Sequence, residues 1–148
     1  AERDALTNLL NRGACIRLCN ERLFSAENEK HALFMIDIDN YKLINDTLGH
    51  VAGDQFLSTV GKILMDNFRS SDILGRIGGD EFVCIAERDI SSYIAELRDL
   101  ISFVGKEKLY PLSVSLGYSR FDTRKDKSID DLIKHCDKKL YDAKKRKA

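Results

Sequence analysis

The run Leu33-Phe34-Met35-Ile36, closed by Asp37-Ile38-Asp39, constrains the fold of this chain more than any other feature. Four consecutive large apolar side chains leave no polar face, so a strand made of them must be covered on both sides. Such a strand belongs inside a sheet that carries helices. Its end holds two carboxylates, and at spacing i, i+2 Asp37 and Asp39 leave the same face.

The rest of the chain supplies the covering elements. Residues 5–27 read as a helix through Leu6, Leu9, Leu10, Ala14, Ile16, Leu18 and Leu23, interrupted at Gly13. A short helical turn is expected over 40–45, with a turn at Leu48-Gly49. Residues 50–68 carry a helical stripe of Val51, Phe56, Leu57, Val60, Ile63, Leu64 and Phe68. The segments 73–77 and 81–85 flank Gly78-Gly79 and read as a hairpin. Helix is expected over 90–104, and a strand over 111–118, where Leu112, Val114, Leu116 and Tyr118 alternate with small residues. After a polar loop at 122–127, a last helix is expected over 128–146 on the stripe Ile129, Leu132, Ile133, Cys136, Leu140 and Ala143. The pattern contains a β-α-β-β-α-β core with extra helices. It predicts an α/β (α+β) domain of the ferredoxin-like palm type, with one mixed, mainly antiparallel sheet flanked by helices.

A chain of 148 residues buries enough surface for one core, so residues 1–148 are expected to form a single domain. No apolar run approaches the ~20 residues that span a bilayer. The charge balances at 24 basic and 24 acidic residues, which argues against nucleic acid as the main partner. The balance conceals an asymmetry: residues 134–148 carry a net +5 and the remainder a net −5. A basic end beside an acidic body suits a phosphate ligand held with cations, or else a solvated helix face. Cys15, Cys19, Cys84 and Cys136 lack the paired spacing of a zinc site and read as buried reduced thiols.

The chemistry concentrates at three acidic positions. Asp37 and Asp39 end the buried strand, and Asp80-Glu81 follow the two hairpin glycines. Brought together they would cluster carboxylates at one end of the sheet, where only a cation relieves their repulsion, and oxygen-only donors select Mg²⁺ or Mn²⁺. The alternative is two unrelated sets of loop carboxylates. Gly78 and Gly79 permit positive φ and remove side chains where a ligand would approach. Lys42 lies just past the acidic strand, placed to face phosphate. Asn45, His50 and Asp54 surround the start of the second helix. Asn and Asp together can read a guanine edge, or serve as caps, as Asn45 and Asp46 would.

Gly78-Gly79-Asp80-Glu81-Phe82 spells G-G-D-E-F, and the chain resembles the GGDEF domain, the diguanylate cyclase family of bacteria. The resemblance extends to Asp4-Ala-Leu-Thr-Asn-Leu-Leu-Asn-Arg12, to Asp37-Ile-Asp-Asn-Tyr-Lys-Leu-Ile-Asn-Asp46 with Gly49-His50 and Gly53-Asp54, to Ser113-Val-Ser-Leu-Gly117, and to Asp137-Lys-Lys-Leu-Tyr-Asp-Ala-Lys144. It implies condensation of two GTP into cyclic di-GMP and two pyrophosphates at a homodimer interface, with two Mg²⁺ or Mn²⁺ per active site. By motif, Asp37, the Ile38 carbonyl and Asp80 would ligate the metals with Glu81 alongside. Asp80 or Glu81 would assist deprotonation of the attacking hydroxyl, and Lys42 would stabilise phosphate charge. Asn45, His50 and Asp54 would line the guanosine pocket, with Asp54 favouring guanine over adenine. The backbone N–H groups of Asn40 and Tyr41, with Lys144, would meet the phosphate tail. Arg69-Ser-Ser-Asp72 resembles the family's R-x-x-D inhibitory motif, a product site that Arg98 would complete. Read without the family, the same four residues are a polar turn.

The family pattern is broken at Asn8, where glycine is usual, at Leu10, where proline is frequent, and at Tyr41, where phenylalanine is usual. The C-terminal Lys144-Lys-Arg-Lys-Ala148 lacks the family's G-R-N, leaving Arg146 or Lys147 to supply the phosphate-binding cation. The resemblance further implies a cytoplasmic catalytic fragment working under an N-terminal sensory domain. The competing reading is a catalytically silent cyclic di-GMP or GTP-binding regulatory domain, which would show no metal-dependent turnover.

Overall fold

The computed structural model describes residues 2–23, 31–86, 93–107, 112–122 and 124–147. In chain order the elements are α1 (Arg12–Leu23), β1 (Ala32–Ile38), α2 (Tyr41–Leu48), α3 (His50–Asn67), β2 (Ile73–Arg76), β3 (Glu81–Ala86), α4 (Tyr93–Glu107), β4 (Val114–Arg120) and α5 (Ile129–Lys147). The strands form one sheet in the order β2-β3-β1-β4, and all three pairings are antiparallel. The parallel component is a single bridge between Leu10 and Gly75 at the outer edge of β2.

All seven residues of β1 are buried, as the apolar run requires. Alternation sends Leu33 and Met35 to one face, where they pack with Cys15, Cys19, Leu23, Leu132, Cys136 and Leu140 of α1 and α5. Phe34, Ile36 and Ile38 face the other side, against Phe56, Leu57, Val60 and Leu64 of α3 and Leu97 and Ile101 of α4. Asp37 therefore lies on the α1/α5 side of the sheet. The four cysteines are buried and unbridged. Among the described residues no helix is long and apolar enough to cross a membrane.

The first expected helix is corrected: α1 begins at Arg12, not at residue 5. The Asp4 carboxylate accepts from the Thr7 N–H at 2.9 Å and from its hydroxyl at 2.8 Å, and Asn8 takes a left-handed φ of 61°. This side-chain turn outcompetes a helical one. It divides the leucines, with Leu9 in one core and Leu10 in the other. Asn11 then caps α1 through its side-chain oxygen on the Ala14 N–H at 3.0 Å. The remaining elements follow their expected positions within a few residues. The helix after the acidic strand is longer than a turn and runs from Tyr41 to Leu48. Gly49, at φ 91°, separates it from α3. Of the segments assigned from sequence, residues 24–27, 90–92, 111 and 123 lie outside the described residues.

Candidate active site

The β2–β3 hairpin delivers Asp80 and Glu81 to the end of β1. Asp37 pairs with Glu81 in the ladder, and the Ile38 N–H donates to the Asp80 carbonyl at 3.2 Å. Two arginines hold the hairpin tip. Arg12 donates to the Ile77 carbonyl at 3.0 Å. Arg76 donates to the Gly79 carbonyl through Nε at 3.2 Å and Nη2 at 2.9 Å, and through Nη1 to Asp4 at 3.0 Å. Burial works against an ionised Asp4, but the hydrogen bonds from Thr7 and the charge of Arg76 hold it below the usual carboxylate range. The opening Asp4-x-x-Thr7 turn is thus the brace of the carboxylate hairpin. Neither hairpin glycine uses the positive φ that its lack of a side chain permits. Gly79 instead faces open space, with nothing within 4 Å of where a Cβ would stand.

Asp37 is buried, and burial is the chief force pushing its carboxyl up to about 7. The Asp80 carboxyl beside it adds to the rise, and the Lys144 ammonium, hydrogen-bonded to Asp37 Oδ2, pulls the other way. Asp37 Oδ1 is buried without a hydrogen-bond donor. Glu81 is also raised, by burial first and then by the charges of Asp137 and Asp80, with Lys144 and Arg12 opposing. Asp39 shares the face of Asp37 but is engaged elsewhere: it accepts from Ser113 Oγ at 2.5 Å and Ser115 Oγ at 2.6 Å, tying β4 to the end of β1.

Among the described residues no three His, Cys, Asp or Glu side chains are gathered as a ready metal cage. What the structure presents is a repelling carboxylate pair, an orphaned buried oxygen on Asp37 and the adjacent Ile38 backbone. Such all-oxygen donors fit a hard divalent cation.

The raised Asp37 carboxyl has a consequence for stability. Between about pH 4 and 7 the folded protein keeps a proton that the unfolded chain has released, so stability falls as pH rises through that window. Urea denaturation in the presence of chelator should show a midpoint that declines from pH 4 to 7. Asp37→Asn should flatten that decline, and an unaltered slope in the variant would rule out Asp37 as its source.

A second group assembles on α2 and α3. Asn45 is not a cap: it lies inside α2, and its side-chain oxygen is buried without a partner. It packs on Gly53, where a Cβ would stand 1.9 Å from that oxygen and 3.3 Å from the Tyr41 hydroxyl. His50 and Asp54 are exposed, one turn apart at the start of α3. Lys42 is exposed in the first turn of α2. The N-cap of α2 is Asn40, left-handed at φ 57°, with no side-chain cap bond. The first N–H groups of α2, those of Tyr41 and Lys42, thus open just beyond the carboxylates, as suits an anion.

The Arg69–Asp72 segment forms a polar turn, with Asp72 Oδ2 accepting from the Arg69 N–H at 2.8 Å. It sits at the far end of β2 from Asp80, and the four residues of that strand alone span about 13 Å. The Arg69 side chain is exposed, and Arg98 lies on α4 with its Nε buried without a partner. Reading residues singly missed Arg12, Arg76, Asp4, Gly53 and Asp137 as site elements. The i, i+3 spacing of Asp4 and Thr7 was the available signal.

The family model described as diguanylate cyclase, GGDEF domain, matches residues 1–148. The chain belongs to the GGDEF family. Diguanylate cyclase DosC of Escherichia coli K12 is 36% identical to this GGDEF domain, with 97% of this chain and 33% of DosC covered. Diguanylate cyclase DgcP of the same organism is 33% identical, with 97% of this chain and 45% of DgcP covered. The chain therefore spans less than half the length of either relative. The GGDEF domain of DgcB from Caulobacter crescentus, solved in complex with c-di-GMP, superposes with a TM-score of 0.83 at 30% identity, covering 97% of this chain and 88% of that one.

Proposed function

We propose that this GGDEF domain is a diguanylate cyclase in which each copy holds one GTP and two copies face each other. The 3′-hydroxyl of one GTP attacks the α-phosphate of the other, and pyrophosphate leaves. Repetition from the opposite side closes cyclic di-GMP. The observation that carries this reading is the hairpin that sets Asp80 beside Asp37, whose Oδ1 is buried without a donor. Asp37, Asp80 and the Ile38 carbonyl would hold two Mg²⁺ or Mn²⁺ ions with Glu81 alongside. When bound, these supply Lewis-acid activation of the hydroxyl and charge neutralisation on the triphosphate.

The chain's own residues do the rest. The α2 N-terminus at Asn40 and Tyr41, with Lys42 and Lys144, binds the phosphates. The orphaned Asn45 oxygen finds no donor among the described residues, and the guanine exocyclic amine is one. Asp54 accepts from the guanine N1–H side, with His50 beside it. Asp80 or Glu81 receives the hydroxyl proton. In this reading residues 1–148 are one catalytic domain acting in the cytoplasm, where GTP is available, under an N-terminal sensory region. The test is incubation with GTP and Mg²⁺ at high protein concentration and with a dimerising fusion. Cyclic di-GMP whose specific rate rises with concentration supports the reading. A fused dimer that binds cyclic di-GMP but makes none overturns it in favour of a receptor.

The exposed Arg69 and the Asp72 carboxylate offer a cation and an acceptor for a guanine-phosphate ligand. On this reading product binds there, with Arg98 completing the site, and holds the domains apart. Arg69→Ala should raise the cyclic di-GMP concentration needed for half-inhibition by ~10-fold or more, the loss of one charge-assisted contact. An unchanged inhibition curve would remove the site.

A further inference from the structure

Lys144 is the α5 residue that the family resemblance assigns to the phosphate tail. Its ammonium is hydrogen-bonded to Asp37 Oδ2, inside the carboxylate group. The contact is built into the fold. Leu140, one turn earlier on α5, is buried in the core, and Gly117 of β4 lets the α5 backbone pass within 2.9 Å of where a Cβ would stand. The Lys144 charge reaches beyond Asp37 to Asp80, Asp39 and Glu81. The Lys144 ammonium thus stands among four carboxylates, bonded to one oxygen of the same Asp37 carboxylate whose other oxygen is buried without a donor. An incoming cation meets both the carboxylates and an ammonium already bonded to one of them, and at such short range in a partly desolvated site that repulsion is large.

We propose that Lys144 is the resident counter-ion of the metal site: it competes with free divalent cations for Asp37 and is drawn off by the triphosphate. Free cation then binds weakly, and metal and nucleotide enter together. This rests on the metal and triphosphate roles proposed above and adds an order of binding to them. It gives one side chain two stations, the carboxylate and the phosphate, on a stem long enough to exchange between them. The reciprocity of linked binding demands that nucleotide tighten metal as much as metal tightens nucleotide.

The experiment is Mn²⁺ binding followed by electron paramagnetic resonance, with no turnover involved. It compares wild type, Lys144→Gln, Lys144→Arg and Asp37→Asn, each checked by thermal melting. Without nucleotide, Lys144→Gln should bind Mn²⁺ at least ~10-fold tighter than wild type, since one opposing charge is gone. Lys144→Arg should stay weak, and Asp37→Asn should lose the site. A GTP analogue with a non-cleavable α–β bridge should tighten Mn²⁺ strongly in wild type and much less in Lys144→Gln. If the Mn²⁺–analogue complex binds wild type but Lys144→Gln takes free Mn²⁺ no more tightly, the counter-ion role is overturned and the cyclase reading stands. If wild type fails to bind Mn²⁺ even with the analogue, the proposed function itself falls.

Discussion

Asp80→Ala should abolish cyclic di-GMP formation while leaving the domain folded and no less stable. The Asp80 side chain lies beside the Asp37 carboxyl and raises it, and its charge also raises Glu81. Removing it relieves repulsion between like charges near a buried group. The tie between β1 and the hairpin survives, because the Ile38 N–H bonds the Asp80 backbone carbonyl, which alanine retains. The same substitution removes one of the two side chains that would hold the metals directly. Activity should therefore fall well beyond the ~10–100-fold expected when only a supporting partner of a metal ligand is lost. Product chromatography and thermal melting together read both halves of the expectation. Residual activity near wild type with an unchanged Mg²⁺ requirement would take Asp80 out of the metal site. A large drop in Tm would mean that its role is structural.

The second large effect concerns stability. Gly117→Ala places a Cβ 2.7 Å from the Cys136 carbonyl oxygen and 2.9 Å from the Leu140 nitrogen. Both are backbone atoms of α5, so no side chain can rotate away and the helix must retreat from the sheet. Overpacking of this kind costs about 2–3 kcal/mol. At ~2–4 °C per kcal/mol for a domain of this size, Tm should fall by roughly 5–10 °C. Activity should fall too, because α5 carries Lys144 into the carboxylates. Gly79→Ala is the matched control: nothing lies within 4 Å of its Cβ position and its φ is not positive, so its Tm should hold. Equal melting temperatures for the two variants would refute the close approach of α5 to β4.

Much of this architecture is legible in the order of residues. A run of four apolar residues reads as a doubly covered strand, and Gly-Gly between two short apolar segments reads as a tight reversal. The α5 stripe of Ile129, Leu132, Cys136 and Leu140 is buried as its spacing requires. Motif spacing also names Asp37, Asp80, Asn45 and Asp54 as candidate positions for the proposed chemistry. Helical periodicity misleads at the opening segment, since Leu6, Leu9 and Leu10 fit a helical face. The spacing of leucines says nothing of a competing Asp4–Thr7 hydrogen bond.

By itself, then, the sequence determined which segments are buried, which reverse, and which carboxylates end a buried strand or follow a turn, because burial and turn chemistry are written in near neighbours. Only the tertiary structure decided which charges meet. Arg76 reaches Asp4 across 72 positions and Lys144 reaches Asp37 across 107. Asn45 lies on Gly53, and the exposed Arg69 turn stands at the opposite end of β2 from Asp80. The two long-range ion pairs depend on how the N-terminal turn and α5 dock on the sheet. Docking is settled by the fit of the buried faces, and no local pattern of residues encodes it.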